Sequence, residues 1–328
     1  MATVCIASAL CTYVTDVFSL PGRAGFVESM LGAPDPDTFS AANYDAGFGV
    51  PLVMRGAAAG MPAIASWMTD HSLNMGWGGE QVGPIEWGKK ETRLTESTYS
   101  TLAEFLAMYN TSDVYLVAGL PHMQRRLGKQ LLLPRFLECA QLVRTLDRWL
   151  LWMSSGGSKS VIHRDASDNV LCQLHGTKRL ALWNASQYPI MESDECGWYN
   201  ADVGNAGGYG EWARVDVEAI DIGQFHGFAK MPWWEAKLES GDCLFLPSGW
   251  YHHVHSLPGR NLAVGVWWHR QLGAREPCVH RRHPGKKKKS SRVRLDECSW
   301  LEGERPTNTH LATCRGFDQS QAEVKLEL

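Results

Sequence analysis

Between Ser160 and about His269 the chain is broken into short apolar runs, and this texture limits the fold more than any other feature. VIHRD, NVLCQLHG, KRLALW, AKLES, DCLFLPS, HHVHSL and NLAVGVWW are rich in Val, Leu, Ile and Trp, with Gly, Pro, Asn and Asp between them. Strands of this length and spacing build a sandwich or a barrel. The stretch 192–236 is too long for a simple turn. It is Gly-rich and carries Trp198, Tyr199, Tyr209, Trp212, Phe225, Trp233 and Trp234. Inserts of that length usually serve as a lid or a substrate-facing wall; the alternative is a loop anchored by its own aromatics.

The flanks read differently. Residues 1–48 are a lead-in of uncertain structure, with 33–49 punctuated as loop by Pro, Gly and Asp. PLVMRGAA (51–58) reads as a short buried strand. STYSTLAEFLAMYN (97–110) spaces Leu102, Phe105, Leu106 and Tyr109 as a helix does, after a Ser/Thr start. A second helix is expected after Pro134, running toward an extended segment near Trp152. Beyond residue 270 the chain turns basic and apolar-poor, so 271–328 reads as a flexible tail on a domain of residues 49–270.

Composition removes several functional classes. With 44% hydrophobic residues in 328, one large domain can bury a core. A net charge of −3 gives no overall field for nucleic acid. The run 280–294 with Lys286–Lys289, Arg281, Arg282, Arg292 and Arg294 leaves three readings open: an import signal, an RNA-contacting arm or a solvated tail, the last being the default. Nine cysteines without a tight CxxC pair argue against a disulfide framework and for a reducing, cytoplasmic or nuclear compartment. Cys278, His280, His283, Cys298, His310 and Cys314 follow no compact zinc spacing. No apolar run reaches the ~18 residues of a membrane span. The N-terminus lacks the positive region of a secretory leader, and Asp16 interrupts its apolar stretch. Oligomeric state is not readable.

The chemistry centres on His163-Arg164-Asp165, with His252 placed 87 residues after Asp165. On a strand, side chains alternate, so His163 and Asp165 share a face and a second strand can bring His252 across. Two imidazoles and one carboxylate on one face of an octahedron leave three open positions, as a non-haem iron(II) site needs. By itself the HxD pair is a weak signal, more often a surface histidine and a turn aspartate. GDCLFLPSGWYHHVHS (241–256) adds strand, turn and strand, placing His252 just after an aromatic pair.

SVIHRDASDNVLCQLHGTKRLALW and GDCLFLPSGWYHHVHS resemble the two halves of the JmjC or cupin-like hydroxylase core. The likeness covers roughly residues 50–270 and is firmest over 149–184 and 238–268. It implies a mainly β fold with flanking helices, the double-stranded β-helix or jelly roll, and an Fe(II)- and 2-oxoglutarate-dependent dioxygenase consuming O2. By resemblance His163, Asp165 and His252 are iron ligands, and Lys178, thirteen residues past Asp165, pairs with the distal carboxylate of 2-oxoglutarate. Ser160, Asn169 and Tyr115 match further cosubstrate contacts. Trp152 matches an aromatic of the preceding strand, and Trp267 lines the same pocket. A buried dicarboxylate independently needs a cation at its far end and hydroxyl donors around it. Asp165, Asn169 and Lys178 fit a strand–turn–strand hairpin with His175-Gly176-Thr177 near the turn. Two features depart: His253 adjoins His252, and Gly265 stands where relatives often carry Asn or Ser.

No second module accompanies the core, and compact members of this kind tend to hydroxylate protein side chains. A protein or peptide substrate is therefore expected, with histone-lysine demethylation and tRNA-base hydroxylation behind it. A catalytically silent cupin-like scaffold is the alternative of another class; such scaffolds usually lack a ligand or the lysine, and this chain keeps all four. The isomerase and storage cupins normally carry His-x-His where this chain has His163-Arg164-Asp165.

Overall fold

The computed structural model describes residues 2–6, 10–44, 49–92, 97–119, 127–199, 211–270, 278, 292–301 and 311–317. Two large sheets dominate it. The nine-stranded sheet runs β4 (Ser29–Leu31), β5 (Leu52–Arg55), β17 (Cys243–Leu246), β11 (Asp168–His175), β19 (Asn261–Trp268), β9 (Leu146–Ser154), β8 (Val114–Gly119), β6 (Gln81–Trp87) and β7 (Ser97–Thr101). The seven-stranded sheet runs β13 (Trp198–Tyr199), β14 (Trp212–Ala213), β10 (Ile162–Arg164), β18 (Tyr251–Ser256), β12 (Lys178–Trp183), β16 (Trp233–Leu238) and β3 (Arg23–Phe26). A small third sheet joins β1 (Ala2–Ile6), β2 (Leu10–Thr15) and β15 (Ile220–Asp221). This is the jelly-roll architecture expected of the short runs.

Alternation along the strands sorts side chains into three cores. Leu171 and Leu244 of the nine-stranded sheet meet Leu180, Leu182, Ala236 and Leu238 of the seven-stranded sheet between the layers. Val170, Cys172, Val264, Val266 and Trp268 point the other way, onto the helices and Phe39, Phe105 and Phe136. On the far side of the seven-stranded sheet, Ala181, Trp183 and Tyr251 pack with Met191, Val217 and Phe228 of the insert. A fully buried Leu or Phe contributes about 1.5–3 kcal/mol, so all three cores matter to stability.

Several expectations are corrected. Residues β11 and β12 are joined by the predicted turn at Gly176, whose φ is 78° and whose added Cβ would lie 2.4 Å from the Arg260 carbonyl oxygen. They do not pair as a hairpin: the turn carries the chain from one sheet to the other, because both strands are buried on both faces and each needs its own partners. The segment 33–49, read as loop, contains a helical turn at Pro36–Phe39, capped by Asp35 accepting from Thr38 N–H. The helix expected from residue 97 begins at Leu102; Ser97–Thr101 is strand β7, and Thr101 with Glu104 forms the capping box. After Pro134 only a 3-10 turn (Arg135–Leu137) and one helical turn (Ala140–Val143) form before β9 takes over.

Six cysteines are paired, against the expectation of free thiols: Cys139 with Cys278, Cys172 with Cys243, and Cys298 with Cys314. Cys172 and Cys243 face each other across β11 and β17, a register that no sequence spacing reveals. The argument for a reducing compartment loses its footing with this. Cys196 is free and buried. Within the expected tail, Val293 and Leu295 are buried in the large core and bond to the backbone of Leu133 and Leu131. Lys286–Lys289 of the basic run lie outside the described residues. No described helix is long and apolar enough to cross a membrane.

Candidate metal centre and cosubstrate pocket

His163 and His252 face each other in the antiparallel pairing of β10 with β18. Asp165 follows one residue after β10 and returns to the same face. The three side chains offer ligand atoms that lie within 4.8 Å of one another. Asp165 stands 3.9 Å from each histidine, Oδ1 to His163 Nε2 and Oδ2 to His252 Nε2. His252 is buried, while the Asp165 side chain is 31% exposed, so the cluster opens on one side.

Both imidazoles are held from behind. His163 Nδ1 lies 3.0 Å from the Val161 carbonyl oxygen, and His252 Nδ1 lies 3.0 Å from that of Trp250. A carbonyl can only accept, so Nδ1 donates in each ring and Nε2 is the nitrogen turned toward Asp165. Metal-binding histidines are oriented by this kind of contact. His253 points to the opposite face, as alternation requires. Its Nδ1 donates to the Ser160 carbonyl at 2.7 Å, and burial pulls its pKa down to about 3.

The remaining predicted residues surround the space between the sheets. Lys178 is 3% exposed, and its Nζ donates to Ser256 Oγ at 2.6 Å. No carboxylate among the described residues pairs with it, and burial pulls its pKa down to about 7. Asn169 is buried opposite Trp267, and its Oδ1 has no hydrogen-bond partner among the described residues. Trp152 and Trp267 meet at a tilt of 52°, with 5.1 Å between ring centroids. Gly265 lies beneath them: a Cβ there would come within 2.8 Å of both indoles, which explains the departure at this position. Tyr115 alternates with Val114 and Leu116, which face the outer core, so its phenol is on the opposite side. Burial first, then the charges of Glu86 and Glu91, hold that phenol protonated well above its usual range. Ser160 Oγ accepts from Val254 N–H at 2.8 Å, which leaves the hydroxyl proton to be donated elsewhere.

Sequence reasoning missed Ser256. Counting in twos from His252 would have placed it on the same face, beside Lys178, which it meets in register. It also read the aromatic insert too uniformly. Trp212 and Trp233 are buried, and Phe225 and Trp198 pack half-buried against the second core, so these anchor the insert, whereas Tyr199 is half-buried. Trp233 and Trp234 belong to core strand β16, and Tyr209 lies outside the described residues. Of the residues weighed and set aside as a zinc site, Cys278, Cys298 and Cys314 are committed to disulfides, and the three histidines lie outside the described residues.

The donor set suits a divalent metal: two imidazoles and one carboxylate gathered together, with the carboxylate side open to solvent. The pocket suits a dicarboxylate: a buried cation with one neutral partner lacks an anion.

The chain belongs to the cupin-like, JmjC-like family, whose cupin-like domain matches residues 88–274, more than half its length. Among characterised proteins it is similar to lysine-specific demethylase 8 of Xenopus tropicalis, at 22% identity over 227 residues, covering 66% of this chain and 48% of that protein. It is also similar to Jumonji C domain-containing protein 5 of Drosophila melanogaster, at 30% over 120 residues, covering 36% of this chain and 26% of that protein. A third relative is tRNA wybutosine-synthesizing protein 5 of Gallus gallus, at 29% over 142 residues, 43% of this chain and 39% of that protein. The matched regions span half or less of each relative.

Proposed function

We propose that the chain is an iron(II)- and 2-oxoglutarate-dependent dioxygenase that hydroxylates a C–H bond, most simply of a protein side chain. The observation that carries this reading is the convergence of His163, Asp165 and His252 with both Nε2 atoms turned to the carboxylate. Iron(II) bound there would supply O2 activation, and oxidative decarboxylation of 2-oxoglutarate to succinate and CO2 would supply the electrons.

The chain's residues would do the rest. His163, Asp165 and His252 would hold the metal through two imidazole nitrogens and one carboxylate oxygen. Lys178 binds the distal carboxylate, and the anion in turn restores the lysine's charge in its buried setting. Tyr115 stays protonated and donates a hydrogen bond. Ser160 offers a hydroxyl proton and Asn169 a buried amide. Trp152 and Trp267, seated over Gly265, exclude water from one wall.

The similarity to proteins named lysine-specific demethylase and tRNA wybutosine-synthesizing protein keeps a protein lysine and a tRNA base as competing substrates. The test is anaerobic. Iron(II) and 2-oxoglutarate added to the purified chain give a visible metal-to-ligand charge-transfer band that His163→Ala lacks. A chain that binds iron but gives no band with 2-oxoglutarate is a scaffold, and the oxygenase reading fails. Succinate release stimulated by peptides, or instead by tRNA, then selects the substrate class.

A further inference from the structure

The strand that carries His163 has an unusual neighbour. β10 is three residues long and lies between β18 and the insert strand β14, with His163 opposite His252 on one side and Trp212 on the other. Arg164 sits between the two β10-side ligands in sequence and pairs in register with Tyr251, which immediately precedes His252. Both therefore face outward, behind the metal cluster. Arg164 Nη1 reaches Glu192 at 3.1 Å and Nη2 reaches Glu211 at 2.6 Å. Glu192 also accepts from the Tyr251 hydroxyl. The guanidinium lies 5.9 Å from the Tyr251 ring centroid, and Trp198 meets that ring edge-on at 5.3 Å. One network thus joins the residue between His163 and Asp165, the residue before His252, and two separate points of the insert.

We propose that Arg164 is a positioning residue for the metal centre: by clamping Glu192 and Glu211 behind β10 and β18, it fixes the spacing of His163 and His252. This rests on the metal reading given above. An exposed ion pair with a merely structural role contributes little, and its loss would leave metal affinity alone. A positioning role behaves like the outer contacts of known metal sites, whose removal typically weakens metal binding 10- to 100-fold. Arg164→Met keeps the aliphatic stem and removes the fork; Arg164→Lys keeps the charge but not the two-point geometry.

The experiment measures anaerobic iron(II) dissociation constants and thermal midpoints of the metal-free full chain for wild type, Arg164→Met, Arg164→Lys and Glu192→Gln. The expected result is metal binding weakened about tenfold or more in Arg164→Met. Glu192→Gln should move in the same direction and Arg164→Lys should recover part of the loss, with the metal-free midpoint nearly unchanged. Iron affinity within twofold of wild type in Arg164→Met overturns the proposal, as does a loss matched by a fallen midpoint. A wild-type chain that binds no iron overturns the metal reading itself, and this proposal with it.

Discussion

Burial of the Lys178 ammonium works against the ligand-free fold, and if the proposed carboxylate ligand offsets that cost, replacing the lysine by Met should show both effects. In the unfolded chain its ammonium titrates near 10.5; burial lowers this to about 7 in the folded protein. Between those values the unfolded chain holds the proton and the folded chain releases it, so this residue makes stability rise with pH across that window. Below pH 7 the penalty is present in full. At 1.36 kcal/mol per unit, the ceiling is ~4 kcal/mol near neutrality. Met removes that penalty, fills similar volume and sacrifices the bond to Ser256, worth about 1 kcal/mol plus some cost for the hydroxyl left behind. The expected net is a gain of about 2 kcal/mol at pH 7. Urea unfolding of metal-free wild type and Lys178→Met at pH 7 and at about pH 9.5 is the assay. The mutant's advantage should shrink at the higher pH. Saturating 2-oxoglutarate with metal should stabilise wild type by about 2.7 kcal/mol at a hundredfold excess over its dissociation constant, and the mutant far less. A mutant less stable than wild type at pH 7, or an advantage independent of pH, would refute the reasoning.

Three other outcomes follow from the geometry. His252→Ala should abolish iron binding while His253→Ala keeps it and loses about 1 kcal/mol of stability from the bond to Ser160; calorimetric iron titration decides, and the reverse pattern sinks the ligand assignment. Gly265→Ala forces a methyl group into two indoles and should cost about 1–3 kcal/mol by chemical denaturation, with weakened 2-oxoglutarate binding; an unperturbed variant would show that the Trp152–Trp267 pair yields freely. Thiol titration of the unfolded, unreduced chain should find no more than three reactive cysteines among the nine, and all nine after reduction; nine before reduction would remove the three pairings.

The jelly roll was legible because its strands are short and separated by turn residues; that His163 and Asp165 share a face follows from strand period, while their reading as metal ligands with His252 came from the resemblance. Lys178 was legible by resemblance, while its lack of an anionic partner needed the packing around it. What the sequence hid depends on which strands become neighbours. The turn at Gly176 looks the same whether it closes a hairpin or switches sheets, and only the demand of two doubly buried strands for separate partners decides. Cys172 and Cys243 meet through a ladder formed by segments 71 residues apart. The segment after Pro134 has helical composition yet becomes β9, because β19 and β8 both pair with it. Propensity is a weak prior against tertiary pairing of that kind.

The shortness of β10 bears on how this scaffold could change its target. Only two register pairs tie β10 to β18, and two more tie it to β14 of the insert. The insert therefore supplies half of the support for the strand that carries His163. Grafting a relative's insert onto this barrel would succeed only if the donor segment brought an equivalent of residues 212–213. If the proposed oxygenase reading holds, the insert and the metal ligands are coupled traits that a lineage would have to alter together.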